Sequence, residues 1–164
     1  MTFSEYGHCY IAELLIKNGA DVNFINAFGF SPLSCALEGC GRCGIGRKED
    51  RGRDDYIAEL LIKNGADVNL KNGSTFTPLM EAAQYGLCSI ANLLIKNGAD
   101  VNARSLSGKT SLMEAAEYGY CDIAELLIEN GAVLNVRNEE GKTALGLASD
   151  EEMIELLKKH GAKY

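Results

Sequence analysis

Four segments of the chain carry one pattern of apolar and polar positions. The string IAELLIKNGADVN occupies residues 11–23 and recurs unchanged at 57–69. It returns as IANLLIKNGADVN at 90–102 and as IAELLIENGAVLN at 123–135. A worn copy, MIELLKKHGAKY, lies at 153–164, so successive starts are 46, 33, 33 and 30 residues apart. Within a copy, Ile57, Leu60 and Leu61 fall at i, i+3 and i+4, the spacing of an amphipathic helix. Gly65, Gly98, Gly131 and Gly161 follow as helix-ending residues, suited to the left-handed conformation. A second pattern stands upstream of each later copy: SPLSCA (31–36), TPLMEAA (77–83), TSLMEAA (110–116) and TALGLAS (143–149). Ser31, Thr77, Thr110 and Thr143 are placed as helix N-caps, and Pro32 and Pro78 sit at the first helical position. Leu79, Ala82 and Ala83 then predict a short helix with a small-residue face. The polar, Gly-bearing stretches 69–76, 102–109 and 135–142 have no helical period and predict turns or hairpins.

One unit is therefore turn, short helix, tight turn, longer helix, and a 33-residue period is the signature of a solenoid. The motif G-x-T-P-L…A-A…Y-G…I-A-x-L-L-I-x-x-G-A-D-V-N resembles the ankyrin repeat, over essentially the whole chain. The resemblance implies an all-α fold: an L-shaped solenoid of stacked helix-turn-helix units, with hairpin or turn fingers on one side. It implies a single domain over 1–164, divided at 1–23 (partial), 24–69, 70–102, 103–135 and 136–164 (the C-terminal cap). Met80 and Met113 replace a histidine the family often has after T-P-L. Some members are hydroxylated at the Asn of A-D-V-N, a string matched by Asn23, Asn69 and Asn102 and less well by Asn135.

Three departures from the pattern matter. Aligning Tyr6-Gly7 with Tyr85-Gly86 puts Met1 inside the first short helix, so the first unit is abbreviated or the chain is a trimmed piece. Thr75 holds the place of Gly29, Gly108 and Gly141, with Gly73 two residues earlier. Positive φ is awkward for a β-branched residue, so that finger is expected to use a different turn. Third, 13 extra residues fall within 38–55 of the second unit. They carry Arg42, Arg47, Lys48, Arg51 and Arg53 with several glycines, and read as a solvated mobile loop between two helices.

Composition narrows the function classes. Hydrophobic residues are 46% and charged residues 24% of 164, enough for a packed core. The formal charge is −7, with no Trp, so neither the basic footprint nor the stacking surface of a nucleic-acid binder is present. No secretory signal opens the chain, and no apolar run approaches the roughly 20 residues of a membrane span. A cytoplasmic monomer is expected, with an exported effector lacking a classical signal as the alternative.

Candidate chemistry is sparse. Cys40-Gly-Arg-Cys43 is half of a zinc-knuckle pattern and needs two further ligands, for which Cys35 and Cys9, with His8, are the candidates. Cys9 also shares a register with Cys88 and Cys121, where the resemblance implies a buried apolar side chain. Only His8 and His160 are histidines, and no nucleophile, phosphate-loop or metalloprotease motif is present. Glu13, Glu59 and Glu125 recur once per long helix and read as a solvated face. No enzyme activity and no cofactor are expected.

The resemblance places binding on the finger tips and the short-helix face. The candidate partner-binding residues are Phe28, Phe30, Phe76, Met80, Tyr85, Leu106, Lys109, Met113 and Tyr118. Aromatic side chains at exposed positions are the usual anchors of an interface. The tyrosines Tyr6, Tyr85 and Tyr118 share one register, and stacking on each other is the competing reading. The surface is expected to be apolar over units 2–3 and to grade into charge over units 4–5. The function so implied is a non-catalytic module that binds a partner protein. The rivals are a zinc- or redox-responsive regulator using Cys40 and Cys43, and a segment of a larger protein.

Overall fold

The computed structural model describes the backbone of residues 3–42 and 51–163 and the side chains of 10–38 and 56–163. Among them are nine helices and no strand: α1 (Phe3–Lys17), α2 (Pro32–Arg42), α3 (Arg51–Lys63), α4 (Pro78–Tyr85), α5 (Cys88–Lys96), α6 (Ser111–Tyr118), α7 (Cys121–Glu129), α8 (Ala144–Leu147) and α9 (Glu151–Lys159). The predicted caps start the short helices. The hydroxyls of Thr77, Thr110 and Thr143 each accept from a backbone N–H three residues on at 3.3 Å, and Ser31 does the same for Ser34 at 3.2 Å.

Two layers result. The short helices α2, α4, α6 and α8 pack in series, the long helices α1, α3, α5, α7 and α9 pack in a second series, and each short helix lies on the long helix that follows it. Small residues make this possible: Ala82, Ala83, Ala115 and Ala116 have no exposed surface, which brings helix axes close. Leu61, Leu94, Leu127 and Leu157, one each on α3, α5, α7 and α9, fill the layer between.

Neighbouring units are also stitched by side chains. Asn69 Nδ2 donates to the Gly98 carbonyl (3.0 Å) while its Oδ1 accepts from Asp100 N–H (2.8 Å). Asn23 does the same to Gly65 and Asp67, and Asn102 to Gly131 and Val133. The Asn of the A-D-V-N string is thus a two-way clamp between units, using both ends of its amide.

Three expectations are corrected. Residues Tyr6-Gly7 lie inside α1, which runs without a break from Phe3. A single glycine costs a helix only about 1 kcal/mol, and an inter-helix turn holds only where two helices fold back on each other. Tyr6 is therefore not in one register with Tyr85 and Tyr118. The insertion is not all loop either: α2 has 11 residues and α3 has 13, against 8 and 9 in α4 and α5. Both helices extend into the extra segment, and α2 and α3 pack on one another. Finally, the third finger keeps the turn of the others. Thr75 N–H donates to the Asn72 carbonyl (2.8 Å), as Gly29 does to Asn26 and Gly108 to Ser105, and Thr75 takes φ +64°. Its left-handed backbone costs roughly 1–2 kcal/mol. An offset comes from its Oγ1, which accepts from Leu106 N–H of the next finger at 2.6 Å. Gly73 has its own reason: a Cβ there would stand 2.6 Å from the Phe28 carbonyl oxygen of the preceding finger.

Candidate partner-binding surface

The fingers are built by a side chain the sequence reading did not single out. Asn72 Oδ1 accepts from both Ser74 N–H (2.9 Å) and Phe76 N–H (3.0 Å), closing the loop on itself. Asn26 and Asn138 repeat the device, and the hydroxyl of Ser105 substitutes for it by accepting from Lys109 N–H at 3.2 Å. Behind the tips runs a second ladder, in which Lys71 Nζ donates to the Arg104 carbonyl (2.9 Å) and Arg104 to the Arg137 carbonyl (2.7 Å). The tips are thus held in fixed positions on a rigid spine. A register reading of 71, 104 and 137 as one basic column was the signal available in the sequence.

On this frame the candidate residues separate. Phe28 (80% exposed) and Leu106 (82%) are the two large apolar side chains most open to solvent among the described residues. Phe30, Phe76 and Tyr85 are half-buried, and Tyr118 is exposed, its hydroxyl accepting from Gln84 Nε2 at 3.3 Å. Met80 and Met113 are corrected: both are fully buried side chains, 0% and 1% exposed, with no surface to offer in this packing. Neither can meet a partner. Leu106 extends the apolar tips one finger further than expected, before charge takes over at the exposed Glu140–Lys142 pair (3.0 Å).

Lys109 is half-buried and engaged. Its Nζ lies 3.3 Å from Glu114 Oε1 and bonds Glu117 as well. Burial pulls the lysine pKa down, but the hydrogen bond to Glu117 and the charge of Glu114 outweigh it and hold the ammonium above its ordinary value. For Glu114 the balance is reversed: burial outweighs Lys109 and raises the carboxyl. The charge of Lys109 is thus largely spent inside the protein. Glu81 and Glu114, in the same register of α4 and α6, are 2% and 1% exposed and were missed as buried acids. The signal was a glutamate at a fixed offset beside two small residues in both short helices.

Of the cysteine set, Cys35 is exposed on α2, and it is free, as are the half-buried Cys88 and Cys121. Cys88 and Cys121 begin α5 and α7 and are half-buried, packed against the edge of the core. The side chains of Cys9, Cys40 and Cys43 lie outside the described residues. Among those that are described, no group of three metal-ligating side chains converges.

The family described as ankyrin repeats matches in three copies, over residues 1–105, 48–138 and 102–164. The chain belongs to the ankyrin-repeat family. No curated protein matches it significantly. Ankyrin repeats are in general protein–protein interaction modules and typically not catalytic. Among the described residues, no helix of this ankyrin protein is long and apolar enough to cross a membrane.

Proposed function

We propose that this ankyrin protein is a non-catalytic module that takes a partner protein on the face made by its finger tips and short helices. The reading includes the division into five units, a monomeric state and a reducing, cytoplasmic setting, with neither nucleic acid nor membrane as ligand. The observation that carries it is the pair of apolar tips, Phe28 and Leu106, each about four-fifths exposed on fingers whose backbones are fixed by internal hydrogen bonds. A large apolar side chain held open to water costs free energy that burial under a partner recovers, and a preorganised loop loses little entropy on binding. The reading also takes in Phe30, Phe76, Tyr85 and Tyr118 as further aromatic contacts, each with surface left to cover.

The test begins with affinity capture on the full chain and identification of bound proteins by mass spectrometry. A captured partner is then titrated against Leu106→Asp and Phe28→Asp, with circular dichroism as the check on folding. Each substitution is expected to weaken binding by roughly 10-fold or more, as for interface anchors. Unchanged affinity in both folded variants would sink the reading.

A further inference from the structure

The chain holds five Asn-Gly steps, at 18–19, 64–65, 72–73, 97–98 and 130–131. Such a step can react with itself. The glycine nitrogen closes on the asparagine Cγ, and without a Cβ on the glycine little hinders the ring. Four of the steps share one setting, and the fifth has another.

At the ends of the long helices the reacting groups are engaged. The N–H groups of Gly19, Gly65, Gly98 and Gly131 each donate to the isoleucine carbonyl three residues back, at 3.0–3.1 Å. The Nδ2 atoms of Asn18, Asn64, Asn97 and Asn130 donate to the leucine carbonyl four residues back, at 2.7–2.8 Å. A backbone nitrogen whose proton is held by a carbonyl is a poor nucleophile, because that proton must leave before the nitrogen attacks.

Asn72–Gly73, in the third finger, is set differently. Gly73 is exposed, and among the described residues nothing accepts from its N–H. Asn72 Oδ1 accepts from Ser74 N–H at 2.9 Å and from Phe76 N–H at 3.0 Å. Two donors on a carbonyl oxygen draw charge from its carbon and stand ready for the oxyanion that attack creates. Asn72 Nδ2, the atom that must depart, lies 2.5 Å from Glu81 Oε1. Burial, opposed by the bonds from Asn72 and Ser34 and aided by Glu38, raises the Glu81 carboxyl to about 7, so near neutral pH it has a proton to give. The other fingers lack the combination. Asn26 and Asn138 have the same two-donor cradle, but Ala27 and Glu139 follow them, and Cys35 and Leu147 hold the register of Glu81.

We propose that Asn72–Gly73 is a site of self-modification, in which the Gly73 nitrogen closes on Asn72 Cγ and Glu81 protonates the departing amide. The N–Cγ bond forms as the Gly73 proton passes to water. The Cγ–Nδ2 bond then breaks, ammonia leaves with the proton of Glu81, and Glu81 regains one from water. Water opens the cyclic imide at either carbonyl to give aspartate or isoaspartate at 72, and nothing is oxidised or reduced. Either product removes the amide that donates to Glu81 and sets a carboxylate beside it. Isoaspartate also adds a carbon to the main chain of a finger that the preceding one meets closely: a Cβ on Gly29 would stand 2.6 Å from Gly73 Cα. The conversion rewrites the third finger, whether or not this face binds a partner.

The experiment incubates the full chain at neutral pH, folded and in urea. Peptide mapping by mass spectrometry follows each asparagine and separates aspartyl from isoaspartyl products. In the folded protein Asn72 is expected to convert roughly 10-fold or more faster than Asn18, Asn64, Asn97 or Asn130, with isoaspartate among its products. In urea, where the fold is gone, that difference should vanish. Glu81→Gln, checked for folding by circular dichroism, should slow Asn72 roughly 10-fold or more in the folded chain and leave its rate in urea unchanged. Conversion of Asn72 more slowly in the fold than in urea would overturn the site without recourse to any variant. So would a folded rate no greater than that of the helix-end steps, a product free of isoaspartate, or a folded Glu81→Gln that converts as fast as the parent.

Discussion

At Glu81 burial and charge oppose each other directly, in a side chain only 2% exposed. Its carboxyl is raised from an ordinary 4.5 to about 7, first by burial. An acid whose pKa is higher in the folded than in the unfolded chain binds more protons when folded. Its effect on stability is therefore most favourable below about 4.5 and is lost as pH rises through about 7. At pH 8 the charged side chain costs on the order of 3 kcal/mol. Glu81→Gln removes the charge and keeps the shape, so the variant should be more stable than the parent at pH 8 and nearly equal at pH 4.5. Urea midpoints of the two proteins at both pH values measure the difference, and a gap independent of pH would refute it. Only the fixed offset was legible: TPLMEAA and TSLMEAA place a glutamate beside two small residues, but neither string says that the neighbouring unit covers it. Burial of a position is set by what the next unit lays over it. Thr75 was misread for a related reason: the steric penalty was visible in one finger, and the hydrogen bond from Leu106 that offsets it belongs to the next.

Between elements, the clamp asparagines should matter more than the asparagines that end helices. Asn69 joins two units through one donated and one accepted bond. Asn97 uses its amide only on the Leu93 carbonyl of its own helix, at 2.8 Å. Both sites are exposed, so water replaces part of what is lost, and a net bond is worth about 0.5–1.5 kcal/mol. Asn69→Ala should cost about 1–2 kcal/mol and lower the denaturant slope as neighbouring units uncouple. Asn97→Ala should cost less than about 1 kcal/mol with the slope intact. Equal costs in chemical denaturation would show that the inter-unit bonds carry no coupling. At this scale the sequence was largely readable. Caps, helix ends and the order of helices follow from Thr77, Pro78 and Gly98 and their repeats. The insertion was not, because a Gly-bearing, charged stretch has a loop's composition, yet α2 and α3 both run into it.

Across the whole molecule, burial of the shared leucine sets a gradient of stability. Leu15 on α1 is 56% exposed, Leu61 on α3 is 5%, and Leu94, Leu127 and Leu157 are 0%. On the same outer side, Ile11 and Leu14 are 51% and 47% exposed. In a solenoid each unit gains most of its stability from its neighbours, so a helix covered on one side only opens before the rest. The tie from the Tyr56 hydroxyl to the Glu13 carboxylate, between α3 and α1, lies at the surface and adds little. Leu94→Ala should therefore cost about 2–5 kcal/mol, as for a core leucine, and Leu15→Ala less than about 1 kcal/mol. Native-state hydrogen exchange should show the same order without mutation. Amides of α1 should exchange through openings of low free energy, and those of α5 and α7 only through global unfolding. The exposed apolar tips Phe28 and Leu106 belong to fingers at different heights of the stack, Phe28 just after α1 and Leu106 just before α6. A partner that grips both would transfer protection to α1, since it bridges the weakly held end to the stable middle. Protection of α1 equal to that of α7 in the free protein would mean that the end of the stack is covered by contacts other than those of this packing.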